Sequence, residues 1–187
     1  MSKAFEQPLF HGTVEMISRV DVTRGKARKD FGRGFYMALQ ARQAIGMMHK
    51  KFSEAVRRSR GKSPDGFVKR LYTIQLKPSS EAELAVKTFS CADMEWLEFI
   101  LANRQSAGAN VHPYDVVIGP TADDDTVVSL QNYWKGIYGK VGSVVAKRTL
   151  LEVLEVENLG VQCCLCTQKA VDCAVMTFGP VDWRMYS

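Results

Sequence analysis

Two short stretches of this chain carry groups suited to holding a small polar molecule. His11, Gly12 and Thr13 follow one another directly after Leu9-Phe10 and set an imidazole, a flexible backbone and a hydroxyl side by side. Further on, Asp30-Phe31-Gly32-Arg33-Gly34-Phe35-Tyr36 puts two glycines, an arginine and two adjacent aromatics into seven residues. Glycine at alternate positions lets backbone approach a ligand with its N–H groups ready to donate. An aromatic just after such a turn offers a flat face to a flat ring. The stretch reads either as a loop that cradles a nucleotide-like molecule or as a glycine turn before a buried strand.

Other motif matches fail on context. Asp30-Phe31-Gly32 copies the letters of a kinase metal-binding turn, but the chain lacks the catalytic-loop and lysine-strand signatures. Gly61-Lys62-Ser63 copies the tail of a Walker A motif, yet Val56 stands where its first glycine belongs. Gly32-x-Gly34 lacks the third glycine of a dinucleotide fingerprint and precedes a strand rather than a helix. Cys163, Cys164 and Cys166 have no second Cys/His pair at zinc-site spacing, so they read as small apolar residues packed on a strand, and no metal is expected. Asp123-Asp124-Asp125 reads as a solvated loop that caps the next helix. His49 and His112 have no obvious partner in the sequence.

The elements that must position these groups follow from periodicity. A first strand is predicted over 7–13, a second over 34–39, and an irregular or partly helical connection between them. Apolar residues at 41, 44, 45, 48, 52, 55 and 56 predict an amphipathic helix over 41–58. A turn-rich, basic loop spans 57–66, followed by strands over 67–76, 84–89 and 114–119. Helices are expected over 93–105, with Ser90 as N-cap, then over 126–138 and over 144–156, with Ser143 as N-cap. A strand over 161–166, a short helix over 167–174 and a last strand over 175–178 complete the chain. Strands and helices mix without βαβ alternation, which predicts a single α+β domain over 1–187 rather than a doubly wound sheet.

The chain has 187 residues, enough to bury a real core. No apolar run approaches the roughly 20 residues needed to span a bilayer, and the N-terminus has no signal-peptide core, so a cytoplasmic protein is expected. Five cysteines, four of them crowded between 163 and 173, do not resemble a disulfide framework. Residues 1–70 carry sixteen Lys/Arg against six Asp/Glu, whereas 71–187 carry nine against fourteen. This asymmetry points to a polyanionic or acidic partner for the basic half, or to a solvated face.

The blocks Leu9-Phe10-His11-Gly12-Thr13, Asp30-Phe31-Gly32-x-Gly34-Phe35-Tyr36 and Gln43-Ala44 occur in order. They are followed by Trp96-Leu97-x-Phe99 with Asn103-Arg104, Tyr114-Asp115-x-Val117-x-Gly119-Pro120, and Gln162 with Thr167-x-Lys169-Ala170. The ordered set, over about residues 8–178, resembles a bacterial domain-of-unknown-function family in the ADP-ribosyltransferase superfamily. The resemblance implies a split central β-sheet flanked by helices. It also implies NAD⁺ as co-substrate, cleaved at its nicotinamide–ribose bond, with ADP-ribose passed to an acceptor. By resemblance His11 would hydrogen-bond the adenosine-side ribose, Gly12 would present backbone to the nicotinamide amide, and Thr13 would line the same pocket. Tyr36 would stack on the nicotinamide, with Gly34 and Phe35 beside it, Arg33 would reach the pyrophosphate, and Gln162 would contact the nicotinamide-side ribose.

Nicotinamide leaves as a neutral group, so no acid is strictly needed. The protein must bend and hold the dinucleotide and stabilise positive charge on the sugar. Gln162 cannot act as a general base. If the acceptor needs deprotonation, Asp30, Glu155, Glu157 or Asp123 must do it. Arginine-modifying members carry an acidic residue two before this position; here it is Gly160, which argues against arginine as acceptor. The basic half favours a nucleic acid, RNA or DNA, with Arg57, Arg58, Arg60 and Lys62 as the phosphate contacts. A NAD⁺ glycohydrolase and an inactive basic binding module with the same fold are the alternatives. The resemblance also suits a toxin or phage-defence effector held by an antitoxin protein.

Overall fold

A computed structural model describes residues 3–59, 67–108, 110–121, 124–154, 160–176 and 182–186. Its elements in chain order are α1 (Lys3–Glu6), β1 (Leu9–Thr13), β2 (Phe35–Ala38), α2 (Ala41–Arg58), β3 (Arg70–Leu76), β4 (Val86–Thr88), α3 (Met94–Gln105), β5 (Val116–Pro120), α4 (Asp124–Trp134), α5 (Val144–Val153), β6 (Val161–Leu165), α6 (Gln168–Asp172) and β7 (Ala174–Met176). Short 3₁₀ turns cover Val22–Arg24, Pro78–Glu83 and Trp183–Tyr186. The class is α+β, as the sequence predicts.

The seven strands form one sheet in the order β4-β5-β6-β2-β1-β3-β7. Only β4 and β5 run parallel; the other neighbours are antiparallel. The sheet runs on through all seven strands, and its weakest pairing lies between β1 and β2. β1 registers with β3 at all five of its residues, but with β2 only at Phe10↔Ala38. The two halves, β4-β5-β6-β2 and β1-β3-β7, therefore meet through one registered pair, next to which lie His11 and Tyr36.

Alternation across the strands sorts the core into two faces. Leu9, Met37, Tyr72, Ile74, Val116, Ile118, Cys163 and Leu165 pack on one face, with Phe35 at its edge. On the other, Val117 and Cys164 meet Trp96, Leu97 and Ile100 of α3 and Leu150 of α5. Beside that group, Phe10, Ala38 and Leu71 meet Ala44, Ile45 and Met48 of α2. A Cβ on Gly12 would collide with the Ala44 carbonyl, so this glycine lets α2 lie directly on β1.

Several boundaries differ from the sequence reading for local reasons. α1 is an added element: Ala4 and Phe5 are fully buried under the β3 half of the sheet. The α3 N-cap is Asp93 rather than Ser90, because the helix starts at Met94 and the Asp93 carboxylate accepts from Trp96 N–H at 2.9 Å. α4 ends at Trp134, before Gly136 takes a φ of 76°. Ser143 caps α5 as expected, accepting from Ala146 N–H at 3.2 Å. Among the described residues, no helix is long and apolar enough to cross a membrane.

Candidate functional site

The loop Asp30–Gly34 is pinned from three sides. The Tyr36 hydroxyl donates to Gly32 O at 2.5 Å and accepts from Phe31 N–H at 3.1 Å. Asn110 grips both backbone groups of Arg33, accepting from its N–H at 2.6 Å and donating to its carbonyl at 3.0 Å. His112 donates from Nε2 to Phe31 O at 3.1 Å while its Nδ1 accepts from Tyr114 N–H at 3.2 Å. The histidine without an obvious partner in the sequence is thus a structural clamp. The loop glycines serve this packing. Gly32 has a φ of 79° and faces Asn110 and Asn103, and a Cβ on Gly34 would collide with Cys164 Sγ on β6. The buried Phe31 ring stacks towards Tyr36 at 6.3 Å and Phe89 at 6.4 Å.

Tyr36, Asp30 and Gln162 converge on one face of the sheet. Register places Tyr36 opposite Cys164 and Ala38 opposite Gln162, so Gln162 lies one pleat along from the tyrosine. Gln162 donates from Nε2 to Asp30 Oδ2 at 3.4 Å. The other oxygen of Asp30 accepts from Arg104 Nε at 2.5 Å, in an ion pair whose side chains are 6% and 14% exposed. Burial is the main influence that pushes the Tyr36 hydroxyl pKa up, with Cys164 and Asp30 adding to it, so the hydroxyl stays protonated. Asp30, expected as a possible base, is the carboxylate of the ion pair with Arg104. Of the other bases considered, Glu155, Glu157 and Asp123 lie outside the described residues.

His11 reaches this group from β1. Its Nδ1 lies 2.7 Å from Tyr36 O. A carbonyl only accepts, so Nδ1 carries the proton and Nε2 carries the lone pair. Burial, aided by the charge of Lys51, lowers the imidazole pKa to about 4. The ring is therefore neutral near pH 7, with Nε2 an acceptor for a hydroxyl. Phe35 stacks on it at 4.5 Å with the planes 26° apart. His11 and Phe35 side chains lie on the face opposite Tyr36, so the histidine meets the tyrosine at its backbone carbonyl and not side chain to side chain. Thr13 is buried, and its Oγ1 accepts from Glu15 N–H at 3.2 Å.

Lys51, which sequence reasoning passed over, and Lys29, one of a basic cluster in the connection after β1, lie near this group. Lys51 Nζ donates to Gly12 O at 3.3 Å. Burial lowers the Lys51 pKa. Burial likewise lowers the Lys29 pKa, assisted by the neighbouring charges of Arg104, Lys26 and Lys50 and opposed by Asp30. A signal for Lys51 was present: it sits three residues after Met48 and seven after Ala44, on the buried stripe of α2. Arg104 likewise follows Leu97, Ile100 and Leu101 on the buried side of α3. A cation on an apolar stripe needs a partner or a purpose.

The remaining site residues lie elsewhere. The Arg33 guanidinium turns to Thr23 O at 3.4 Å, above the Val22–Arg24 turn, and its Nε is buried with no partner among the described residues. Arg57 and Arg58 end α2, where Arg58 pairs with Glu54 at 3.6 Å; Arg60 and Lys62 lie outside the described residues. Cys163, Cys164 and Cys166 are buried thiols. Among the described residues, no group of three or more His, Cys, Asp or Glu side chains could hold a metal ion.

A family model described as a protein of unknown function, DUF3990, matches residues 8–176. No curated protein and no solved structure matches the chain. The family match runs from the residue before β1 to the last residue of β7, so it contains His11, the pinned loop, Tyr36, Arg104 and Gln162. The chain belongs to the DUF3990 family.

Proposed function

We propose that the chain is a mono-ADP-ribosyltransferase of the ADP-ribosyltransferase superfamily. It cleaves NAD⁺ at the nicotinamide–ribose bond and passes ADP-ribose to a macromolecular acceptor, RNA or DNA in preference to protein arginine. The observation that carries this reading is the neutral His11, held by Tyr36 O with Nε2 left as an acceptor, beside the single registered pair that joins β1 to β2. Such a nitrogen suits a ribose hydroxyl. Lys51, bonded to Gly12 O, and Lys29, whose charge acts on it, supply positive charge close by, which suits a pyrophosphate.

In this reading, His11 accepts from the adenosine-side ribose and the lysines hold the phosphates. The Tyr36 ring supports the nicotinamide, and Gln162 faces the sugar that becomes positive. The C1′–N bond breaks with its electron pair leaving on nicotinamide, an acceptor lone pair forms the new bond at C1′, and the acceptor proton passes to solvent. Because the ring nitrogen of NAD⁺ already bears positive charge, the residues act by holding and by electrostatics rather than by proton donation. Gly160 in place of an acidic residue disfavours arginine as acceptor. The positive balance of residues 1–70, together with Arg57 and Arg58 at the end of α2, favours a polyanion.

Labelled NAD⁺ incubated with RNA, DNA and protein tests this. The wild type is expected to release nicotinamide and label a nucleic acid, and Tyr36→Ala and Gln162→Ala to lose both activities. Free ADP-ribose without a labelled acceptor would identify a NAD⁺ glycohydrolase. No nicotinamide release under any condition, with nucleic-acid binding intact, would identify a binding module.

A further inference from the structure

The side chain behind Gln162 is a carboxylate, and this decides which end of the amide can face the site. Asp30 is 5% exposed. Its Oδ1 accepts from Arg104 Nε at 2.5 Å and its Oδ2 accepts from Gln162 Nε2 at 3.4 Å. An ionised carboxylate only accepts hydrogen bonds. The NH₂ end of the amide must therefore turn towards Asp30, and Oε1 must turn away from it. Arg104 faces Asp30 in the same buried place and holds its other oxygen.

We propose that Asp30 and Arg104 are positioning residues for Gln162: the ion pair fixes the amide so that Oε1 is presented to the nicotinamide-side ribose. The inference rests on the transferase reading above. A carbonyl oxygen directed at a sugar gaining positive charge stabilises it, whereas an NH₂ group in the same place would oppose it. An amide with similar neighbours on both sides would populate both orientations. The carboxylate removes that choice before substrate arrives, so no reorganisation is needed during reaction. The arrangement also gives this chain a use for an aspartate held in a buried ion pair.

The test exploits a reversal of sign. Asp30→Asn keeps an acceptor for Arg104 but can turn an NH₂ group towards Gln162, so the amide must turn over to meet it. Release of nicotinamide is expected to fall about 10-fold or more in kcat, with KM for NAD⁺ little changed. Gln162→Glu alone sets two carboxylates against each other and is also impaired. Combined, the new amide donates to the new carboxylate, which then presents its second oxygen to the sugar. The double variant is expected to exceed both singles, with thermal melting of all three near wild type.

A merely structural Asp30 would lower activity equally in both backgrounds, and that result overturns the inference. So does an Asp30→Asn variant as active as the wild type. A wild type that releases no nicotinamide overturns the transferase reading itself, and the inference with it.

Discussion

His11 donates its Nδ1 proton to the Tyr36 carbonyl across 2.7 Å, and this one bond spans the place where β1 and β2 stop pairing. It ties β1 to β2 by a side chain beyond their registered pair and fixes the imidazole tautomer. It also makes the fold sensitive to acid. The unfolded chain binds a proton at His11 near pH 6.5, whereas the folded chain binds it only near pH 4. Stability contributed by the neutral ring is present above pH 6.5 and falls as pH drops towards 4, by an amount on the order of 3 kcal/mol at most. Denaturant midpoints measured from pH 7.5 to 4 are expected to fall in the wild type, with a visibly shallower fall in His11→Gln. Equal slopes in the two proteins would contradict this.

Tyr36→Phe removes a hydroxyl that serves Gly32 O and Phe31 N–H together. Both partners lie in the pinned loop, and Phe31 is fully buried. A loss of about 1–3 kcal/mol in unfolding free energy is expected, because buried groups are left without partners while the ring stays. Amide exchange at Phe31 and Arg33 is expected to accelerate more than exchange in β3. Uniform acceleration across the sheet would mean that the hydroxyl does not act on the loop.

The glycines separate close packing from conformational slack. Gly34→Ala drives a Cβ into Cys164 Sγ and towards the Leu165 carbonyl, and backbone there cannot yield cheaply. Destabilisation of about 2 kcal/mol or more is expected. Gly46 lies inside α2, and a Cβ there meets nothing within 4 Å. Gly46→Ala is expected to stabilise by about 0.5–1 kcal/mol. Thermal melts of the two variants should move in opposite directions.

The sequence was most legible where period and packing agree. The apolar stripe from Ala41 to Val56 predicts α2 with its observed limits, and Tyr114 to Gly119 announces a strand that proves buried on both faces. The loop Asp30–Gly34 was legible as a glycine-rich turn. What was hidden is that Gly32 answers to Asn110 and Gly34 to Cys164, because these partners lie 78 and 130 residues away along the chain. Asp30 could be named from its neighbours, but its pairing with Arg104 depends on how α3 crosses the sheet. The face on which His11 lies depends on the β1 register, which no local pattern records.

Lys51 offers the test that separates binding from chemistry. Its stem lies on the buried stripe of α2, and its ammonium meets Gly12 O and acts on His11. Lys51→Met keeps the stem and removes the charge. The His11 pKa is then expected to move up from about 4, because one of the two influences that lower it is gone. Proton NMR titration of the imidazole reads this with no substrate present. In the transferase reading, KM for NAD⁺ is expected to rise about 10-fold with kcat little changed, since a phosphate contact held equally in ground and transition states affects binding alone. The salt dependence of that KM should also weaken, as one cation no longer attracts the dinucleotide. If the His11 pKa rises while KM stays fixed, Lys51 tunes the histidine and the phosphates lie along Lys29 instead. If kcat falls with KM unchanged, the ammonium acts on the reacting sugar and not on the phosphates.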